Sequence, residues 1–220
     1  MQKKIVVHMY LKNGKAVTGF DGKELLEDGD VMSIAQHYSN NGADELLIFD
    51  LSDDDADHEQ SLNLIRQISR VIDIPMSGGG HIKNLEDVKK LLYAGCQQVF
   101  LNYAKAVNIE LTEEVSKRFG KEKIAICTDS FAQLQANKAR VNEYTSRVIL
   151  LCDEVDVRTT ARLVEVPVLP VSTRADRHGL LKLLMLYNSC GVCGDTFSDL
   201  NEDLMAAKLE AKKHGVEINT

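Results

Sequence analysis

Three consecutive glycines, Gly78-Gly79-Gly80, follow the short apolar run Ile74-Pro75-Met76 and precede an amphipathic stretch that starts at Leu85. Lacking Cβ atoms, such a segment lets backbone N–H groups approach a ligand, and with the next helix N-terminus it makes a cradle for an anion such as phosphate. The same glycines also suit a plain strand-to-helix turn, and spacing supports both readings. Asn102 ends the next apolar run, Gln98-Val99-Phe100-Leu101, and could turn its amide to the same anion. Acid–base chemistry on a phosphorylated sugar needs one group to give a proton and another to take it. Asp129 closes the run Lys123-Ile124-Ala125-Ile126-Cys127-Thr128 and suits one role, with a helix N-cap ahead of Ser130 as the alternative. Asp50, after Leu46-Leu47-Ile48-Phe49, is a second carboxylate, of a kind that more often orients a neighbour. Tyr10 offers only a phenol with a reference pKa of about 10, a weak acid or hydrogen-bond donor near neutral pH.

Other motifs carry less chemistry. Asp53-Asp54-Asp55-Ala56-Asp57-His58-Glu59 lacks the glycine and terminal glutamate of a calcium loop, and acids favour a helix N-terminus, so a solvated helix start is expected. Cys190-Gly-Val-Cys193 has redox or zinc spacing, but without a second Cys or His pair it reads as two core thiols. His8, His37, His81, His178 and His214 are scattered. Neither a metal nor a cofactor is expected.

These residues must be held by a scaffold, and the pattern around them supplies one. Short β-rich runs at Lys4–Tyr10, Glu45–Leu51, Ile74–Ser77, Gln98–Asn102, Lys123–Thr128, Arg147–Cys152, Val166–Val171 and Val192–Gly194 alternate with amphipathic helical stretches. The clearest helix spans Leu85–Ala94, where Leu85, Val88, Leu91 and Leu92 share a face. Eight such units favour a closed (β/α)8 barrel, with its site at the strand C-termini. Ile74-Pro75-Met76 is echoed by Val166-Pro167-Val168, and Lys90-Leu91-Leu92-Tyr93-Ala94-Gly95-Cys96 by Leu184-Met185-Leu186-Tyr187-Asn188-Ser189-Cys190, which suggests a half-barrel repeat. The 220 residues fit one domain, residues 1–220, with no linker. With 26 Lys+Arg against 33 Asp+Glu the net charge is −7, which argues against nucleic acid or an anionic membrane as partner. No apolar run approaches the roughly 20 residues of a transmembrane helix, and a cytoplasmic protein is expected.

The chain resembles the cyclase subunit of imidazole glycerol phosphate synthase and its sister isomerase, both histidine-biosynthesis (β/α)8 barrels. The similarity is carried by Leu11-Lys12-Asn13-Gly14-Lys15-Ala16-Val17-Thr18-Gly19, Gly42-Ala43-Asp44-Glu45-Leu46, Phe49-Asp50, Gly78-Gly79-Gly80, Ala94-Gly95 and Arg118-Phe119-Gly120. The resemblance implies a catalytic Asp at the ends of strands 1 and 5, positions that here hold Tyr10 and Asp129. It places the first phosphate site on Gly79, Gly80 and Asn102, with Tyr103 where a small hydroxyl residue is usual. The second maps onto Ser172-Thr173-Arg174 and Gly194-Asp195, where most glycines are missing and Asp195 would repel an anion. It also implies a phosphoribosyl ligand and, for the cyclase, a glutaminase partner. The chain is further similar to a barrel-like extension found ahead of the catalytic domains of a bifunctional phosphoribosyl-AMP cyclohydrolase/phosphoribosyl-ATP pyrophosphatase. The expectation is a non-catalytic or weakly active phosphate-binding barrel joined to downstream hydrolase domains, with an active cyclase or isomerase as the alternative.

Overall fold

The structure is a computed structural model that describes residues 2–153 and 156–220. Strand β1 (Lys4–Lys12) turns at Asn13-Gly14, whose φ angles of 50° and 69° fit a two-residue hairpin, into antiparallel β2 (Lys15–Thr18). β2 pairs in turn with the short β3 (Glu24–Leu25). This hairpin is absent from the sequence-based expectation, which ended the first strand at Tyr10. Helix α1 (Val31–Asn40), capped by Asp30, leads into β4 (Glu45–Asp50). Helix α2 (Asp55–Ile68) follows, with Asp54 accepting from the Asp57 N–H, so the acidic run is a helix start as expected.

The remaining units are β5 (Met76–Gly79), α3 (Leu85–Tyr93), β6 (Gln98–Asn102), α4 (Ala106–Phe119), β7 (Ile124–Thr128), α5 (Phe131–Ala136), α6 (Lys138–Tyr144) and β8 (Arg147–Leu151). After them come α7 (Val157–Ala161), β9 (Val168–Ser172), α8 (Arg177–Leu184), β10 (Gly191–Gly194), α9 (Asp195–Ser198) and α10 (Leu204–Lys213). β1 and β4 to β10 run parallel, and β10 returns to β1 through Lys4↔Gly191, Ile5↔Val192 and Val6↔Cys193. The architecture is therefore a (β/α)8 barrel. Pro75 and Pro167 hold matching places in the third and seventh units, each accepting at 2.9 Å from an N–H of the preceding strand, Leu46 and Val148.

Period-two alternation divides the apolar side chains into two cores. Ile5, Val7, Met9, Leu46 and Ile48 pack outward under the helices, while Val6, Tyr10, Leu47, Phe49, Phe100, Cys127 and Ile149 fill the barrel axis. The N-terminal end of the axis is plugged by a polar group. Arg147 donates to both Glu45 oxygens, one bond being 3.0 Å, and to Ser77 Oγ at 2.9 Å, and Ser77 Oγ donates to Glu45 at 2.8 Å. The five cysteines are free thiols, and no helix among the described residues is long and apolar enough to cross a membrane.

Candidate functional site

The C-terminal mouth contains two cavities. The larger, of about 470 Å³, brings together Gly79, Gly80, Asn102, Cys127 and Asp129, with Lys12 and Lys105 among its wall residues. The smaller, of about 260 Å³, lies over β1 and β10. Tyr10, Phe20 and Phe49 stand between them with ring centroids 4.8 to 5.4 Å apart. Phe20, in the β2–β3 connection, is 45% exposed and lies over the mouth.

The three glycines do different jobs, because β5 runs two residues further than the apolar pattern predicts. A Cβ on Gly78 would lie 2.8 Å from Cys96 Sγ, and one on Gly79 would overlap the Phe100 ring, so both are there for packing. Gly80 alone makes the loop, with φ +111°, and a Cβ on it would strike the Asp50 carbonyl oxygen. The expected contribution from the next helix also moves. Helix α3 is closed by its own capping box, in which Asn84 accepts from Glu86 and Asp87 N–H and Asp87 answers the Asn84 N–H. Helix α4 begins without a side-chain cap, and its preceding residues Ala104 and Lys105 line the larger cavity. Its positive dipole end is thus the one open to an anion. Asn102 Oδ1 accepts from Ala104 N–H at 2.9 Å, which leaves the Asn102 amide hydrogens as donors. Tyr103 does not join them: it is fully buried, its hydroxyl 2.9 Å from Thr112 Oγ1 on α4.

The carboxylates separate as sharply. Ser130, not Asp129, caps α5 by accepting from Gln133 N–H. Asp129 is exposed in the larger cavity and makes no hydrogen bond or ion pair among the described residues. Beneath it the Cys127 thiol is pushed up to about 12 by burial and then by Asp129, so it is a neutral wall rather than a nucleophile. Asp50 lines the same cavity, yet its oxygens are taken by His58 Nδ1 and by the N–H and hydroxyl of Ser52. His58 in turn stacks on His81 at 4.8 Å, and His81 reaches Asp55 at 2.8 Å and Ser52 O at 3.1 Å. Asp50 therefore ties the end of β4 to Ser52 and to α2. Tyr10 is 2% exposed and lines only the smaller cavity.

At the seventh strand, Asp153 accepts from Ser172 Oγ, from Thr173 N–H at 2.9 Å and from Thr173 Oγ1 at 2.6 Å. Burial would raise the Asp153 carboxyl, but the Ser172 and Thr173 donors hold it below the usual range. The donors that a second phosphate would use are thus spent on a carboxylate. Two site residues escaped sequence reasoning: His8 shares Tyr10's face of β1 by simple alternation, and His81 directly follows the glycines.

Residues 4–185 match the family described as Histidine biosynthesis protein. The chain belongs to this family. It is similar to the imidazole glycerol phosphate synthase subunit HisF of Flavobacterium psychrophilum, 33% identical over 130 residues, which is 59% of this chain and 52% of that protein. The Staphylococcus aureus subunit is 34% identical over 131 residues, 60% of this chain and 52% of the relative. For Wolinella succinogenes the figures are 32% over 144 residues, 66% and 56%. The similarity thus spans little more than half the length of these relatives.

Proposed function

We propose that this histidine-biosynthesis barrel binds a phosphoribosyl or other sugar-phosphate ligand through Gly79, Gly80, Asn102 and the start of α4, with little or no turnover. One observation carries the proposal: Asp129 is the unpaired carboxylate of the larger cavity, where Asp53 is paired with Lys12 and Asp50 is fully engaged, while Tyr10 faces a different cavity. Loss of one general acid or base typically costs about 10²–10⁴ in rate. The test titrates the full chain with inorganic phosphate and with ribose 5-phosphate, following amide resonances. Saturable shifts at Gly79, Gly80 and Ala106, together with no product from a phosphoribosyl-formimino substrate, are expected. Brisk product formation that Asp129→Asn abolishes would replace this reading with an active cyclase or isomerase, an alternative that Asp129's unpaired carboxylate supports. No shift at the glycines would remove the phosphate site itself.

In the same proposal residues 1–220 form one barrel domain of a cytoplasmic protein whose phosphoribosyl-AMP cyclohydrolase and phosphoribosyl-ATP pyrophosphatase domains follow it. The support is the sequence resemblance together with the spent second phosphate site. The reading frame beyond Thr220 tests it, since hydrolase domains there support the assignment and a stop codon removes it. No glutaminase is required, because no nitrogen transfer is asked of the chain.

A further inference from the structure

The smaller cavity has a chemistry of its own. Its floor is aromatic and buried, made by His8, Tyr10 and Tyr38, which are 4%, 2% and 1% exposed. Its rim carries the carboxylates of Glu27, Asp195 and Asp199, and no Lys or Arg is among its described lining residues. His8 is satisfied: Nε2 lies 3.0 Å from Asp195 Oδ1, and Nδ1 lies 3.1 Å from Ser198 Oγ. Ser198 Oγ accepts from the His8 backbone N–H, so its own proton is free for Nδ1, and Cys193 Sγ lies 3.3 Å from the same nitrogen. Tyr38 donates to Ser198 O at 2.6 Å. The Tyr10 hydroxyl is different, because it is buried without any hydrogen-bond partner. Such a group is costly to leave unmet, and a ligand would satisfy it. Burial, and after it the Asp195 carboxylate, hold the Tyr10 phenol well above its usual range, so it stays protonated.

We infer that this cavity is a second binding site, for a compact organic cation such as a protonated primary amine. Anions are disfavoured by three carboxylates with no Lys or Arg among the described lining residues. A metal ion is disfavoured too, because no group of three His, Cys, Asp or Glu side chains among the described residues converges closely enough to hold one. Dispersed carboxylates over an aromatic floor suit a charge carried on a hydrocarbon frame, and the Tyr10 oxygen accepts an ammonium proton. The site stands whether or not the larger cavity takes phosphate.

The experiment titrates the isotopically labelled full chain with butylammonium chloride, sodium butyrate, sodium phosphate and sodium chloride. Butylammonium should shift the Ser198 and Asn201 amides saturably below about 100 mM, whereas butyrate and sodium chloride leave them alone. Phosphate should act, if at all, at Gly79 and Gly80, so failure there leaves the cation site untouched. Asp195→Asn, which keeps an oxygen for His8, and Asp199→Asn should each weaken butylammonium binding by about fivefold, and Tyr10→Phe should weaken it as well. A flat butylammonium titration, equal shifts with butyrate, or unchanged affinity in both carboxylate variants would overturn the assignment.

Discussion

Replacing Arg147 by methionine tests how the barrel's N-terminal end is held. Arg147 and Glu45 are 7% and 3% exposed and come from strands 102 positions apart in sequence. The guanidinium grips the carboxylate with two bonds and Ser77 with a third. Arg147→Met keeps much of the volume and strands Glu45 with Ser77 and with Lys4, whose Nζ is 3.2 Å away on a half-exposed side chain. Breaking a buried pair from one side typically costs about 3–5 kcal/mol, because the remaining charge has lost its solvation and its partner. At about 2–4 °C per kcal/mol for a chain of this size, the thermal midpoint should fall by roughly 6–20 °C. The double variant Arg147→Met/Glu45→Leu removes both charges and should recover most of the loss. Acid sharpens the test. Burial raises the Glu45 carboxyl, but Arg147's charge outweighs it and the folded pKa lies below the ordinary value. The stabilisation is therefore present above the unfolded carboxyl value and is lost as pH falls through the lower folded one. In the single variant Glu45 keeps only the half-exposed Lys4 as a cation and is more readily protonated, so the wild-type advantage should narrow below about pH 4. Urea unfolding at several pH values measures this. A single-variant cost under about 1 kcal/mol, or a gap that widens in acid, would refute it.

Three further substitutions separate structure from binding. Gly80→Ala forces an L-residue into φ +111° against the Asp50 carbonyl; it should cost at least about 1–3 kcal/mol in denaturant unfolding and weaken phosphate binding. A stable variant with unchanged affinity would deny the loop its role. Asp129→Asn should move the unfolding free energy by no more than about 0.5 kcal/mol, since the side chain is exposed and unpartnered; a larger loss in urea titration means a structural partner. Tyr103→Phe should lose about 1 kcal/mol with the Thr112 bond and leave phosphate affinity as it is. Weakened binding in calorimetry would return Tyr103 to the phosphate site.

The barrel was legible because each parallel strand is a continuous apolar run of its own, bounded by turn formers, and the helices between them keep the 3.6 period. The hairpin of β2 and β3 was not, although Lys12-Asn13-Gly14-Lys15 carries the two-residue turn signal, because Lys15-Ala16-Val17-Thr18 is too short for periodicity to register. Strand ends shifted at β5 for a physical reason: glycine reads as a turn, yet Gly78 and Gly79 are in the strand because Cys96 and Phe100 crowd them. The candidate site was legible as residue types and illegible as directions. Asp129 and Asp50 look alike in sequence, each ending an apolar strand. Only alternation along β4 and β7, with Ser130 as the true cap, turns Asp129 to the cavity and commits Asp50 to His58. Tyr103 follows Asn102 directly and so points to the opposite side of the sheet.

The mouth of this barrel is electrically lopsided, and the lopsidedness follows from a few exchanges. On the side of β5 and β6, Gly80, the Asn102 amide, the uncapped start of α4 and Lys105 present positive or donor groups, while Lys12 is paired with Asp53 at 3.1 Å and Asp129 adds a carboxylate. On the side of β9, β10 and β1, Asp153 consumes the Ser172 and Thr173 donors, and Asp195 and Asp199 add negative charge beside Tyr10. A ligand with a phosphate at both ends would gain at one cavity and be repelled at the other, while Phe20 and Tyr10 block a short path between them. On the proposed function, a singly phosphorylated ligand would sit with its phosphate toward Gly80 and its sugar on the side of Phe20 and Asp129, which line the same cavity. On that same reading recognition does not depend on the position held by Tyr10, because Tyr10 and the groups proposed to bind phosphate line different cavities.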